Sequence, residues 1–185
     1  MNIPNFLSLL RIILVPVIVI FLIQGSFNKA LITFICAGLT DALDGTLARL
    51  LKCQTVLGAY LDPIADKLLL TASFVTLSVL GIIPSWLTVL VISRDFIILL
   101  GIAILSLTAI PYEIKPAIVG KVTTLLQIAT VLAALLIQVV AQSVDSEWIT
   151  IIFWLTGFFT IASGLVYIVR GIKIINKASS KGGAK

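Results

Sequence analysis

The chain of 185 residues is 60% hydrophobic and 11% charged, against about 45–50% and about 25% in a soluble domain, so a soluble globular fold is excluded. With no His and only two cysteines, Cys36 and Cys53, it has neither imidazole catalysis nor a thiolate metal pattern available. The net charge of +5 does not point to nucleic acid, because the Lys and Arg residues gather at the ends of apolar runs and in the tail, as in membrane proteins.

Apolar runs of about 20 residues recur along the whole length. The expected fold is therefore all-α: six transmembrane helices in one integral membrane domain over 1–185, with a short N-terminal interfacial amphipathic segment. That segment is residues 2–11. The neutral Asn-Ile-Pro-Asn opening, Pro16 and the lack of an Ala-x-Ala-like site argue against a cleaved secretory signal. The first span is expected over 11–23, with Pro16 as a possible bend and Gly25-Ser26 closing it. The second runs over 29–51, and 52–57 form a polar connection.

The third span is expected to start between Gly58 and Pro63, with Pro63 in the first helical turn, and to end at Gly81. An uncharged turn at Pro84 leads to the fourth, over 86–107, which carries Arg94 and Asp95. A loop with Pro111 and Pro116 precedes the fifth, over 118–141, which carries Lys121. After a short acidic turn the sixth runs over 148–172, and 173–185 are a basic, flexible tail. Trp86, Trp148 and Trp154 are expected to be interface anchors or lipid-facing residues, and the Lys residues of the tail to touch anionic lipid.

With the N-terminus inside, Arg11, Arg49, Lys52, Lys115, Lys121, Arg170 and the Lys residues of the tail fall at cytoplasmic helix ends or loops, leaving Lys29 outside. This asymmetry sets the orientation. It places the connection between the second and third helices near the cytoplasmic face.

Four of the eight acidic residues, Asp41, Asp44, Asp62 and Asp66, lie around that connection. At about 100° per residue, Asp41, Asp44, Gly45, Ala48 and Arg49 share an arc of about 140° on one helix, and Gly58, Asp62 and Asp66 share about 80° on the next. Two carboxylates about 4 Å apart at an effective dielectric near 20 repel by roughly 4 kcal/mol, so such a cluster needs cations. Lys67, next to Asp66, lies about 100° off the shared face. Carboxylate oxygens without His or Cys suit Mg²⁺ or Mn²⁺, ions that usually serve phosphate-bearing substrates. The small residues leave room for a ligand, and Arg49 offers a bidentate phosphate donor. The bland alternatives are an N-cap role for Asp62 and helix packing for Gly45 and Ala48.

The pattern Asp41-x-x-Asp44-Gly45-x-x-Ala48-Arg49, eight residues, then Gly58-x-x-x-Asp62-x-x-x-Asp66 resembles the signature of the CDP-alcohol phosphatidyltransferases at every fixed position. The resemblance implies transfer of a phosphatidyl group from CDP-diacylglycerol to an alcohol, with release of CMP, at the cytoplasmic face of a bacterial-type inner membrane. It implies a two-metal site (Mg²⁺ or Mn²⁺) held by Asp41, Asp44, Asp62 and Asp66. By the same resemblance Asp66 would also be the catalytic base, and Gly45, Ala48, Arg49 and Gly58 would receive the cytidine diphosphate. A homodimer is expected.

The Asn2–Asn5 opening, Ser8, Arg11 and Pro84 resemble phosphatidylglycerophosphate synthases, whose acceptor is glycerol 3-phosphate. Arg94 and Lys121 lie where that subfamily binds the acceptor phosphate. Two departures, at Leu99–Ile102 and at Lys121-Val122-Thr123-Thr124, bring the chain closer to CMP-forming cardiolipin synthases, whose acceptor is phosphatidylglycerol. Glycerol 3-phosphate is the preferred acceptor and phosphatidylglycerol the alternative. Because neighbours on a helix project about 100° apart, Arg94 and Asp95 are not expected to pair directly. Outside this class the competing reading is an ion or solute transporter, which would spread its charges through the membrane depth.

Overall fold

The computed structural model describes the backbone of residues 3–51, 56–107, 118–140 and 147–182, and within these the side chains of 9–40, 64–104, 118–140, 147–174 and 176. The described residues form six helices and no strand: α1 (Ile3–Ile23), α2 (Phe27–Leu51), α3 (Val56–Val79), α4 (Ser85–Leu107), α5 (Ile118–Val140) and α6 (Glu147–Gly182). Three contain stretches long and apolar enough to cross a membrane: Ser85–Ile104, Ile118–Val140 and Glu147–Ile174. Leu9–Ile23 and Phe27–Thr40 are shorter apolar helical stretches. Large apolar side chains stand exposed on all six helices, among them Ile13, Ile32, Val79, Leu99, Leu125 and Phe158. Apolar surface on that scale belongs in lipid rather than water.

The chain divides into two compact units, one of residues 1–84 with 131–146 and the other of 85–130 with 147–185. In the first, α1 packs on α2 and α3; Ile18, Leu22, Phe34, Leu69, Phe74 and Leu77 are buried. Two of its helices end on glycines in the left-handed region, Gly25 (φ 68°) and Gly81 (φ 72°). At each, the glycine N–H donates three residues back and the next N–H five residues back: Gly25 to Leu22 and Ser26 to Phe21, Gly81 to Ser78 and Ile82 to Leu77. This is the Schellman arrangement, which glycine enters without a Cβ penalty.

In the second unit α4 packs on α6. The fit is close at Gly157, where an added Cβ would lie 2.7 Å from the Trp86 ring. That ring also meets Trp154, with centroids 5.0 Å apart. Hydroxyls join α5 to α6. Thr123 Oγ1 donates to the Phe159 carbonyl at 3.0 Å, and the Thr130 and Thr156 hydroxyls meet at 2.8 Å. Other hydroxyls, such as those of Ser73 and Thr76, bond the carbonyl four residues back in their own helix, which satisfies a polar group where no water reaches it.

Several boundaries differ from the sequence expectation. The amphipathic opening is not a separate segment: α1 is continuous from Ile3, with Pro16 inside it. Helix α3 starts at Val56, so Pro63 is its eighth residue rather than part of its first turn. A proline there leaves the carbonyl four residues back without its helical donor, yet the helix continues. The same boundary removes the N-cap reading of Asp62, which lies inside α3. The tail also differs. Helix α6 runs 36 residues to Gly182, because Ile, Lys and Ala are adequate helix formers and no proline intervenes. The connection at 52–55, the loop at 108–117 and the turn at 141–146 lie outside the described residues.

Candidate functional site

The signature divides between two continuous helices. Positions 41, 44, 45, 48 and 49 are in α2, and 58, 62 and 66 in α3. Regular helix therefore turns the spacing into one arc on each, as the periodicity requires. The side-chain surroundings of Asp41, Asp44, Gly45, Ala48, Arg49, Gly58 and Asp62 lie outside the described residues. Asp66 is the signature residue whose contacts are visible.

Asp66 is held by Arg11. The Arg11 Nη1–H donates to Asp66 Oδ1 at 2.5 Å, linking α1 to α3. The Arg11 side chain is 0% exposed and that of Asp66 45%, so a fully buried cation backs a carboxylate whose other side is open. The contact fixes the orientation of Asp66, and it supplies a protein counter-charge that spacing alone did not reveal. The cue was present in the sequence: a charged residue in the apolar run of α1 requires a partner.

Arg94, in α4, is 6% exposed. Its Nη1–H donates to Asp95 Oδ1 at 2.6 Å, so the expectation that these neighbours do not pair is overturned. The 100° offset applies to the Cα–Cβ bonds, and the long Arg side chain curls back across it. An isolated buried charge costs far more than that bend. Nε and Nη2 both donate to Ser163 Oγ on α6, at 3.3 and 3.1 Å. The guanidinium carbon lies 5.8 Å from the Tyr167 ring centroid, within cation–π range. Gly120 on α5 closes the cage. A Cβ there would lie 2.9 Å from the Tyr167 hydroxyl and 3.3 Å from Arg94 Nη2.

Lys121, next in sequence to Gly120, is exposed and makes no contact with Arg94 among the described residues. Of the two expected acceptor-phosphate residues, the structure thus builds a cage around one and leaves the other on the surface. Sequence reasoning missed Ser163 and Tyr167. Both lie one turn apart among several hydroxyl residues of α6, and only the packing of α4 on α6 shows their partner. Trp86, Trp148 and Trp154 are all exposed, as expected of lipid-facing residues, with one edge of the Trp86 ring against Gly157 and Trp154.

Comparison with known proteins bears on the chain's family. The model of the CDP-alcohol phosphatidyltransferase family matches residues 1–162. A cardiolipin synthase (CMP-forming) of Homo sapiens is 36% identical over 190 residues, covering 94% of this chain and 63% of the human protein. A CDP-diacylglycerol–glycerol-3-phosphate 3-phosphatidyltransferase of Bacillus subtilis is 32% identical over 184 residues, covering 91% of this chain and 94% of its own. A probable phosphatidylglycerophosphate synthase of Mycobacterium tuberculosis is 39% identical over 133 residues, covering 68% of this chain and 62% of that protein. The chain thus spans somewhat under two thirds of the human relative and nearly all of the Bacillus one. Signature, helical layout and relatives converge: the chain belongs to the CDP-alcohol phosphatidyltransferase family.

Proposed function

We propose that this chain transfers the phosphatidyl group of CDP-diacylglycerol to glycerol 3-phosphate, giving phosphatidylglycerophosphate and CMP. The observation that carries the choice of acceptor is the match to the Bacillus relative of that name, which is nearly end to end in both chains. In this reading 1–185 is one membrane domain of six spans, with the signature near the cytoplasmic face of a bacterial-type inner membrane, and it works as a homodimer.

The donor set fits a hard divalent cation. It is carboxylate oxygen throughout in a chain without His, and the half-exposed Asp66 is oriented by its contact with Arg11. Asp41, Asp44, Asp62 and Asp66 would hold Mg²⁺ or Mn²⁺, as a pair. When bound, the metal stabilises charge on the attacking and leaving oxygens. Gly45, Ala48, Arg49 and Gly58 receive the cytidine diphosphate. Asp66 takes the proton of the acceptor hydroxyl as its oxygen forms the new bond to the phosphatidyl phosphorus and the bond to CMP breaks. Arg94 and Lys121 attract the acceptor's phosphate.

The human relative favours a second reading, a CMP-forming cardiolipin synthase with phosphatidylglycerol as acceptor. Purified protein given CDP-diacylglycerol and each acceptor separately decides between them. Phosphatidylglycerophosphate and CMP from glycerol 3-phosphate are the expected products. Cardiolipin from phosphatidylglycerol alone establishes the second reading, and no CMP from either removes both.

A further inference from the structure

Helices α4 and α6 run in the same direction, because Trp86 lies against Gly157 and, further along both, Arg94 meets Ser163. The fit at the second contact is close, since a Cβ at Gly164 would lie 3.8 Å from Arg94 Cγ. Two turns beyond it, about 10 Å along each axis, stand Gly101 on α4 and Arg170 on α6. A residue seven positions on returns to within about 20° of the same face. Gly101 and Arg170 therefore belong to the faces that meet at Arg94 and Ser163. At their level the seam is open among the described residues. A Cβ at Gly101 would find nothing within 4 Å, nor would one at Gly171, and Arg170 is exposed.

The two walls of this opening are unlike. On α4, exposed Ile97 and Ile102 flank Gly101, and no charged residue follows Asp95 in the helix. On α6, Arg170 is joined by exposed Lys173, and Lys177 and Lys181 follow in the same continuous helix. At about 100° per residue these four positions share an arc of about 80° that includes the Ser163 face, so the basic stripe continues the seam. The apolar spans of the two helices end at Ile104 and Ile174, which sets the opening at the edge of the membrane. Cations placed there beside an apolar wall need an anionic partner, and α4 has none to give.

We propose that this opening binds an anionic phospholipid, with its phosphate on Arg170 and Lys173, its glycerol backbone over Gly101, and its acyl chains along Ile97 and Ile102 into the bilayer. An opening with one basic and one apolar wall matches the two halves of such a lipid, and basic pockets between membrane helices hold anionic head groups. The lipid is a resident of the fold, bound without being consumed. The site uses no signature residue and does not depend on which acceptor the protein takes. It also differs from a diffuse attraction of the basic tail to an anionic surface, which has no need of the space at Gly101.

Native mass spectrometry of the full chain in a neutral detergent, titrated with phosphatidylserine or phosphatidylcholine, tests the proposal. Neither lipid is a donor or acceptor in the proposed reaction. One phosphatidylserine per chain should be retained, and phosphatidylcholine should not. Arg170→Gln should weaken retention about fivefold or more, the effect of one cation at a lipid surface, and Lys29→Gln, in the first turn of α2, should leave it unchanged. Gly101→Leu separates a site from a diffuse charge effect. The open space accepts the new side chain, leucine is the better helix former, and the lipid loses its place, so retention should disappear while the thermal midpoint without lipid does not fall. Undiminished retention in Gly101→Leu or in Arg170→Gln overturns the proposal. Equal retention of the two lipids, or retention of neither, overturns it as well.

Discussion

Arg11 and Asp66, fifty-five residues apart in sequence, meet at 2.5 Å between α1 and α3. The two ends of this pair are unlike, since the cation is fully buried and the carboxylate is nearly half exposed. Removing one member of a buried pair costs about 3–5 kcal/mol when a charge is left behind in the interior. The cost should therefore depend on which member goes. Asp66→Ala leaves the buried guanidinium without this carboxylate, whereas Arg11→Met leaves a carboxylate with access to solvent. Thermal unfolding in detergent should show the larger drop for Asp66→Ala. Equal drops would mean that burial of Arg11 does not set the energetics.

Arg11→Met should nevertheless impair turnover, because Asp66 loses the group that orients it. CMP release at saturating substrates should fall while the protein remains folded. A variant that keeps its wild-type rate would show that the contact serves stability alone.

Metal removal gives the most direct check on the carboxylate cluster. Treatment with EDTA should abolish CMP release, and Mg²⁺ or Mn²⁺ should restore it. Asp41→Asn, Asp44→Asn and Asp62→Asn should each lower turnover by about a hundredfold or more, since each removes a ligand rather than an outer partner. Activity that survives chelation, in protein found free of metal by elemental analysis, would sink the metal reading.

Orientation can be measured independently of activity. With the N-terminus inside, Cys53 should resist an impermeant thiol reagent in intact cells. A cysteine replacing Asp145, in a variant lacking the native cysteines, should react. The reverse pattern would invert the topology drawn from the Lys and Arg distribution.

Gln127, in the middle of α5, is 0% exposed, and neither its amide nitrogen nor its amide oxygen has a hydrogen-bond partner among the described residues. A buried polar group in that state costs about 1–3 kcal/mol. Gln127→Leu should therefore raise the thermal midpoint. A fall would show that the amide is satisfied in the folded protein by a bound water or ligand.

What was legible in the sequence was local. Gly25 and Gly81 end their helices where expected because a left-handed residue at C′ is a property of a few neighbouring residues. The signature fell on helices because its period is helical. What could not be read depends on partners distant in sequence or on side-chain reach. The pairing of Arg94 with Asp95 follows from side-chain reach, and the approach of Ser163 and Tyr167 to Arg94 from the packing of α4 on α6. Arg11 is intermediate. Its charge in an apolar run announced a partner, and the fold was needed to identify Asp66.

Gly157 has a role wider than its size. Its missing Cβ lets the Trp86 ring lie against α6, which sets how closely α4 and α6 approach there. Eight residues along α4 is Arg94, and six along α6 is Ser163, the two side chains that must meet. The glycine thus works as a spacer for a contact it does not touch. A bulkier residue would prise the two helices apart at Trp86 and stretch the Arg94–Ser163 bonds. If Arg94 serves the acceptor as proposed, such a change would appear in kinetics as a raised acceptor KM, from a position with no side chain to touch the substrate.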